Sequence, residues 1–267
     1  MKLVVRDDLS GRTALSKSTL TAFDMCPTKA WHDIWHREPL VPNERITFGS
    51  AVDAAVEAAI TYLRMEQPVD LGVVMAAAAE PVARDGTAVD LLDVEAALDR
   101  WMVTVAPGYD FRYARLQERI SGEHPDLGPV DGHPDVVLAD GRIFDVKTSA
   151  RAKPEEPTLE LGFYALIGRE MAGIAAPSVG YWTYVRTTRP YWQTLEFPVT
   201  PELLRWTVAK AAAYVRARRA DEMWNAGAEV PENAAMTAGP RWSGMCADCQ
   251  YAPVCELAVR GSSDDAA

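Results

Sequence analysis

The chain has 267 residues, of which 48% are hydrophobic and 24% charged, a composition typical of a soluble globular protein with a sizeable core. Its N-terminus lacks an apolar run long enough for a signal peptide, and no stretch of about 18 apolar residues predicts a membrane span. We therefore expect a cytoplasmic protein with no membrane partner. The net charge of −11 argues against a broadly basic nucleic-acid-binding surface, although an acidic metal site remains compatible with it.

Helical spacing of apolar residues characterises the first third of the chain and predicts helices over 17–37, 48–66, 71–80 and 90–104. From about residue 113, short apolar and aromatic runs predict strands over 115–121, 133–138, 142–148, 178–186 and 191–198. Two further helices are predicted over 155–172 and 201–224. The pattern predicts an α/β (α+β) fold with a helical N-terminal region (1–112), a core (113–225), a cysteine-bearing segment (226–258) and a disordered tail (259–267).

Asp140 and Gly141 separate two of the predicted strands and indicate a hairpin. A two-residue loop would place Asp135 and Asp145 on opposite faces of the sheet. A three-residue loop ending on Gly141 would shift the register by one residue and bring both carboxylates to the same face. Glycine adopts the left-handed conformation that this loop needs at least cost. We therefore predict the three-residue loop and a positive φ at Gly141.

Asp145 and Lys147 lie two residues apart on a predicted strand, so both side chains leave the same face. Converging carboxylates of Asp135 and Asp145 would provide the oxygen ligands that Mg²⁺ and Mn²⁺ prefer. Such a metal polarises a phosphate oxygen and lowers the pKa of its bound water, while Lys147 would position that water. Glu118, on the preceding predicted strand, is a candidate further ligand or water-orienting group. The tripeptide Asp145-Val146-Lys147 alone is a weak signal, because an aspartate and a lysine that form an exposed salt bridge on a strand have the same spacing.

Pro134-Asp135 followed by Asp145-Val146-Lys147 resembles the PD-(D/E)xK nuclease superfamily. This resemblance implies a restriction-endonuclease-like core with a mixed central sheet. It also implies that the backbone carbonyl of Val146 completes the metal shell beside the two carboxylates.

Two further positions are similar to the RecB-like branch of that superfamily. The branch usually carries Gln-x-x-x-Tyr on the helix after the lysine, where this chain has Glu160 and Tyr164. It also carries a histidine ligand on an early helix after a glycine, where this chain has Gly49 and then Asp53. The resemblance makes Tyr164 a candidate site residue and Asp53 a candidate metal ligand. Tyr164 as a core residue and Asp53 as a solvent-facing residue are the alternatives.

Cys246, Cys249 and Cys255 lie within ten residues of one another, and Cys26 lies near the other end of the chain. In a cytoplasmic protein such a set favours metal binding over disulfides. Its arrangement resembles the iron–sulfur RecB-like nucleases, including the AddB nuclease domain and CRISPR-associated Cas nucleases. The resemblance implies a [4Fe–4S] cluster that clasps the two ends of the chain. Structural zinc and unligated buried thiols are the alternatives.

These patterns together predict an Mg²⁺- or Mn²⁺-dependent deoxyribonuclease, an exonuclease acting at single-stranded DNA ends in recombination, repair or CRISPR-adaptation-like processing. DNA is the expected partner, with a homo-oligomer or a larger DNA-processing complex also possible. The alternative functions are a catalytically silent nucleic-acid-binding module and an electron-transfer iron–sulfur protein.

Two sets of side chains are candidate DNA contacts. Basic residues recur along the predicted helix at 201–224 and form either a phosphate-binding stripe or a solvated face: Arg205, Lys210, Arg216, Arg218 and Arg219. Aromatic residues of the last predicted strands either stack on bases or pack within the sheet: Trp182, Tyr184, Tyr191 and Trp192.

Overall fold

The computed structural model describes residues 14–30 and 41–225, with side chains described as far as residue 220. Contacts divide these residues into two compact units, one of 14–30, 121–131 and 205–225 and the other of 41–120 and 132–204. The four regions predicted from the sequence are each continuous along the chain, and they stay a prediction. The predicted clasp segment (226–258) and tail (259–267) lie outside the described residues.

The helices and strands follow one another in this order: β1 (Leu15–Ser16), α1 (Lys17–Met25), α2 (Glu44–Arg64), α3 (Leu71–Asp85), α4 (Leu91–Thr104), β2 (Arg115–Leu116), β3 (Ile120–His124), β4 (Gly128–Gly132), β5 (Val136–Val137), β6 (Ile143–Ser149), α5 (Leu159–Ala172), β7 (Ser178–Val185), β8 (Tyr191–Pro198) and α6 (Pro201–Asn225). A 3₁₀ turn at Ala106–Gly108 follows α4. The result is a mixed α/β fold, as the sequence predicts.

The first unit contains a three-stranded sheet in the order β1-β4-β3, in which β1 runs parallel to β4. Ser16 begins α1 with a capping box, because its side chain accepts a hydrogen bond from the backbone of Thr19. The predicted helix over 17–37 is interrupted at Cys26, where φ is −157° and ψ is 108°. Pro27 explains the interruption, since the residue before a proline is driven towards extended conformations. Helical structure resumes at residues 27–30.

The second unit begins with three helices whose N-termini are capped by short polar side chains. Asn43 accepts a hydrogen bond from the backbone of Ile46 at the start of α2, and Asp70 and Asp90 cap α3 and α4 in the same way. Helix α3 ends at Gly86, which takes the left-handed conformation typical of a helix terminus. These side chains fix where each helix starts.

The sheet of the second unit has five strands in the order β2-β5-β6-β7-β8. Strands β6 and β7 are parallel, and α5 forms the crossover between them, whereas the other pairs are antiparallel. In the parallel register Asp145 lies beside Tyr181 and Lys147 beside Thr183. Every residue of β7 is buried, as expected of a central strand with both faces covered.

The core of the second unit lies between helices α2, α3 and α4 and one face of the five-stranded sheet. The Trp182 ring stacks on Phe144 with centroids 4.6 Å apart and contacts Trp101 at 5.8 Å. The indole of Trp192 donates a 2.8 Å hydrogen bond to the carbonyl of Ala97 on α4. Of the two alternatives for the aromatic residues, packing within the sheet is confirmed for Trp182, Tyr184 and Trp192, whose rings are buried in this core. Base stacking is excluded for these three, whereas Tyr191 is 44% exposed.

Two predicted strands differ from those observed. The run over 115–121 is divided into β2 and β3, because Gln117 between them has a left-handed φ of 47°. The run over 133–138 is reduced to β5, and β4 precedes it. Pro134, which has no backbone N–H to donate, lies in the gap between the two strands.

Helix α2 meets the length and composition criteria for a membrane-spanning helix, although no membrane span is predicted from the sequence. One such helix is weak evidence, because the core helix of a soluble protein meets the same criteria. In α2 eight residues are buried: Thr47, Phe48, Ala51, Val52, Ala55, Val56, Ala59 and Ile60. Seven of them, all but Thr47, belong to the core described above. We interpret α2 as a core helix on this ground.

Candidate active site

The hairpin between β5 and β6 has the predicted three-residue loop. The N–H of Gly141 donates to the carbonyl of Leu138, and the N–H of Leu138 donates to the carbonyl of Arg142, each at 2.9 Å. Gly141 has a φ of 88°, which confirms the predicted left-handed conformation. Val136 pairs with Phe144 in the strands beyond the loop. The same register, continued by one residue, sets Asp135 opposite Asp145.

The alternation of side chains across this hairpin separates the core from the site. Val136, Phe144 and Val146 enter the core cluster, as the register predicts. Asp145 and Lys147 leave the other face, towards α5. On that face β6 packs closely against α5: a Cβ added at Gly168 of α5 would lie 3.2 Å from the side chain of Ile143. The site therefore lies between β6 and α5.

Lys147 lies between two carboxylates. Its ammonium contacts Asp145 on the same strand and lies 3.2 Å from an oxygen of Glu160 on α5. The side chain of Asp145 has no exposed surface, whereas that of Lys147 is 26% exposed. Asp145 and Lys147 are therefore not an exposed surface pair. The two carboxylates hold the ammonium at the point where the site opens to solvent.

Asp135 is oriented by hydrogen bonds from both neighbouring segments. One of its carboxylate oxygens accepts from the backbone N–H of Val146 at 2.8 Å, and the other accepts from the side chain of Gln117 at 3.2 Å. The backbone N–H of Gln117 also donates to the carbonyl of Asp135 at 3.1 Å. Glu118, the residue singled out from the sequence, instead lies 2.8 Å from Arg115 in an ion pair. Its role as a ligand stays a prediction, and Gln117 is the contact that sequence reasoning missed.

Two buried tyrosines complete the site on the α5 side. Tyr164, 1% exposed, donates a 2.8 Å hydrogen bond to the carbonyl of His133, two residues before Asp135. Tyr181 of β7 donates to Glu160 at 2.9 Å. Burial is the main cause that raises the pKa of both hydroxyls, and neighbouring carboxylates raise it further. Both tyrosines therefore remain protonated donors at neutral pH, and Tyr164 is both a core residue and a support of the site.

The early-helix position predicted as a ligand lies on α2. Gly49 approaches β6 so closely that an added Cβ would lie 2.9 Å from the hydroxyl of Thr148, the residue after Lys147. Asp53, one turn later, is half-buried and lines a cleft between α2 and α3 with Glu57 and Glu80. Among the side chains of residues 14–30 and 41–220, no three His, Cys, Asp or Glu form a group that could hold a metal ion. The ligand role of Asp53 therefore stays a prediction.

The donors at the hairpin nevertheless fit a hard divalent cation. Asp135 and Asp145 would offer carboxylate oxygens from opposite positions of the hairpin, and the Val146 carbonyl is the third donor that the resemblance implies. Oxygen donors of this kind suit Mg²⁺ or Mn²⁺ better than softer metals. The hydrogen bond from Val146 to Asp135 fixes the orientation of one carboxylate in advance, as supporting groups of metal ligands do.

The predicted iron–sulfur site is only partly within the described chain. Cys26 is half-buried at the C-terminus of α1, where its N–H donates to the carbonyl of Ala22 at 2.8 Å. Cys246, Cys249 and Cys255 lie outside the described residues. The [4Fe–4S] cluster and the zinc alternative both stay predictions.

Among the basic residues of α6, Lys210 forms an ion pair with Asp24 of α1, with the two charged atoms 2.6 Å apart. One member of the predicted phosphate-binding stripe thus has an acidic partner in the fold. The role of the other four basic residues stays a prediction.

Comparison with known proteins agrees with this geometry. Residues 14–256 match the family model of the PD-(D/E)XK nuclease superfamily. The fold is similar to the crystal structure of a protein from Eubacterium rectale proposed to be an exonuclease, with a TM-score of 0.56 and 13% sequence identity over 86% of this chain and 89% of that one. A second structure, SSO0001, aligns over 91% of this chain and 96% of its own at 12% identity, with a TM-score of only 0.35.

No curated protein matches the sequence. The family match nevertheless covers both the paired carboxylates and Lys147, and the fold is similar to that of a solved structure over 86% of the chain. The chain belongs to the PD-(D/E)XK nuclease superfamily.

Proposed function

We propose that this nuclease is a metal-dependent DNA exonuclease that hydrolyses phosphodiester bonds at single-stranded ends in the cytoplasm. The observation that carries the proposal is the hairpin register, which sets Asp135 opposite Asp145 and leaves Lys147 on the Asp145 face. Membership of the superfamily supports phosphodiester hydrolysis, and the Eubacterium rectale neighbour supports action at ends. Recombination, repair and CRISPR-adaptation-like processing are the settings in which such an activity is used.

The residues of the site have separate roles in this proposal. A Mg²⁺ or Mn²⁺ ion bound by Asp135, Asp145 and the Val146 carbonyl would polarise the scissile phosphate and acidify a water molecule. Lys147 orients the attacking water and offsets the negative charge that develops on the phosphate. Glu160 fixes the lysine from α5 and is itself oriented by Tyr181.

The decisive experiment uses single-stranded DNA labelled at one end, its copy labelled at the other end, and a circular single strand, each with Mn²⁺. The wild-type protein is expected to shorten both linear substrates and leave the circle intact. Asp135→Asn should lower this activity by orders of magnitude, because the neutral amide is a poor metal ligand. The matched control is Asp99→Asn on α4, an exposed carboxylate away from the site, which should retain full activity.

The pattern of products then separates the possibilities. Cleavage of the circle at the rate of the linear strand would identify an endonuclease. Unchanged cleavage by Asp135→Asn would rule out the assigned site. The order in which label is released from the two linear substrates gives the polarity.

A catalytically silent nucleic-acid-binding module is the second candidate. It is favoured by two departures from the RecB-like pattern, Glu160 in place of glutamine and Asp53 in place of histidine. Glu160 directly contacts Lys147, so its added charge acts at the site itself. DNA binding by the wild-type protein without cleavage in either Mg²⁺ or Mn²⁺ would establish this candidate instead.

A further inference from the structure

A second polar cleft opens beside the active site, at the C-terminal ends of β6 and β7. It has a volume of about 390 Å³ and is lined by Glu44, Arg45, Thr148, Ser149, Ala150 and Arg186. The two strands are parallel, so they end side by side, and the N–H of Arg186 donates to the carbonyl of Ser149 at 2.7 Å. Arg45 comes from the first turn of α2, which approaches β6 at Gly49.

Arg186 is held with its guanidinium over a ring. Its guanidinium carbon lies 4.2 Å from the centre of Phe48, and Phe48 stacks on Tyr184 with centroids 6.2 Å apart. Stacking of this kind occupies one flat face of the guanidinium and leaves its N–H groups at the edge available for hydrogen bonds. Among the side chains of residues 14–30 and 41–220, no acidic group forms an ion pair with Arg186 or Arg45, although Glu44 lines the same cleft.

The cleft also lies next to the reactive groups along the strand. Ser149 lies two residues after Lys147 and leaves the same face of β6, and a strand advances about 3.3 Å per residue. Thr148 leaves the opposite face, towards Gly49 of α2. A group bound at Ser149 is therefore adjacent to a phosphate placed at Lys147. The cleft offers two guanidinium groups and two hydroxyls, which are the donors that bind phosphate oxygens in nucleic-acid complexes.

We propose that this cleft binds a backbone phosphate of the substrate strand neighbouring the phosphate that is cleaved. The proposal rests on the proposed nuclease function and deepens it, because it names the contact that positions the strand. It also accounts for nucleic-acid binding by an acidic protein, since a strand held by a few local arginines does not need a broadly basic surface. Arg186 and Arg45 are positioning residues, because they contact the strand away from the bond that breaks.

The test compares Arg186→Gln and Arg45→Gln with Arg189→Gln, which removes the same charge from an exposed position in the turn between β7 and β8. Binding of a fluorescent single-stranded oligonucleotide is measured without divalent cations over a range of salt concentrations. Both cleft variants should bind several-fold more weakly. Each should also lower the slope of log K against log salt by about 0.7, the value expected for one lost phosphate contact on a single strand. Arg189→Gln should match the wild type.

Cleavage provides a second readout. A dinucleotide too short to reach the cleft should be cleaved at the wild-type rate by both variants, whereas a long oligonucleotide should show a raised KM. Arg186→Lys retains the charge but loses the planar fork, so it should keep the salt slope and still raise KM. Because Arg186 also packs on Phe48, thermal melting is measured for each variant. If Arg186→Gln unfolds, the binding and cleavage measurements on Arg45→Gln, which changes an exposed residue, decide whether the cleft binds the strand.

The outcomes separate this proposal from the proposed function. If the wild type cleaves DNA and all three glutamine variants bind and cleave it as the wild type does, the cleft assignment is overturned and the proposed function stands. Absence of DNA binding and cleavage by the wild type would overturn both. Displacement of the oligonucleotide by millimolar inorganic phosphate, with no dependence on strand length in any variant, would identify a free-phosphate site and refute the strand contact.

Discussion

The contact of Lys147 with two carboxylates predicts that Lys147→Met will destabilise the protein as well as inactivate it. Methionine keeps much of the length of the side chain but removes the charge. Asp145, which has no exposed surface, would then be left without its cation. Removing one partner of a buried ion pair costs about 3–5 kcal/mol. Lys147 is 26% exposed, so water can enter the vacated space, and we expect a loss of about 2–3 kcal/mol.

Neutralising Asp145 separates this effect from a loss of packing. In Asp145→Asn the lysine keeps its contact with Glu160, so the single change should cost about 1 kcal/mol. In the double variant with Lys147→Met no buried charge is left on β6. It should therefore be more stable than Lys147→Met alone, with a coupling of about 1–2 kcal/mol between the two positions.

Urea unfolding measures these free energies. The buried indoles of Trp101 and Trp182 report on the core by fluorescence, and all four proteins should show the same dependence on urea concentration. A Lys147→Met protein with the wild-type midpoint would refute the reasoning, as would a double variant whose loss equals the sum of the two single losses. If the prediction holds, nuclease activities of these variants are to be compared at equal folded fractions.

Three further predictions concern glycine packing, alkaline pH and the cluster. An added Cβ at Gly180 would lie 2.2 Å from the carbonyl of Leu195 and 2.7 Å from Phe144, whereas at Gly132 it would lie 2.4 Å from the end of the Ile167 side chain. Gly180→Ala should therefore lose about 3 kcal/mol and Gly132→Ala about 1 kcal/mol in thermal melting, and equal losses would contradict this. Since folding raises the pKa of Tyr164 and Tyr181, the folded protein retains protons that the unfolded chain releases. Stability should thus be unaffected by these groups at neutral pH and fall as pH rises above about 10, less steeply in Tyr164→Phe. Freshly purified protein should be brown, with absorbance near about 400 nm that is lost in Cys26→Ala, and a colourless protein with one zinc would reverse the cluster assignment.

Local pattern predicted more of this fold than of its site. The hairpin loop and its register followed from one glycine and the alternation of apolar residues, both of which are local signals. Gln117 could not be identified in this way, because its contact with Asp135 depends on a left-handed backbone at a residue that rarely adopts it. Tyr181 could not be identified either, because its place beside Asp145 depends on the pairing of β6 with β7 across a helical crossover.

The aromatic strands show why burial was harder to predict than strand position. Both β7 and β8 were located correctly, yet the sequence left open whether their rings face DNA or the core. In β8 exposed residues alternate with buried or half-buried ones, whereas β7 is buried throughout. A central strand that is covered on both faces has no polar face, so its sequence does not indicate what its side chains contact. Whether its rings face the core depends on the order of the strands in the sheet.

The hydrogen bond from Trp192 to Ala97 has a consequence for attempts to divide the protein. It joins β8 to α4, and the edge-on contact between the rings of Trp101 and Trp182 joins the same two layers. A fragment starting near residue 113 would present Phe144 and Trp182 to water without the helices that cover them. Expressed separately, the helical and sheet fragments should each aggregate, but produced together they should reassemble, much as the halves of a split reporter do. A split at the tip of the connection between α4 and β2 would thus make nuclease activity conditional on bringing two polypeptides together.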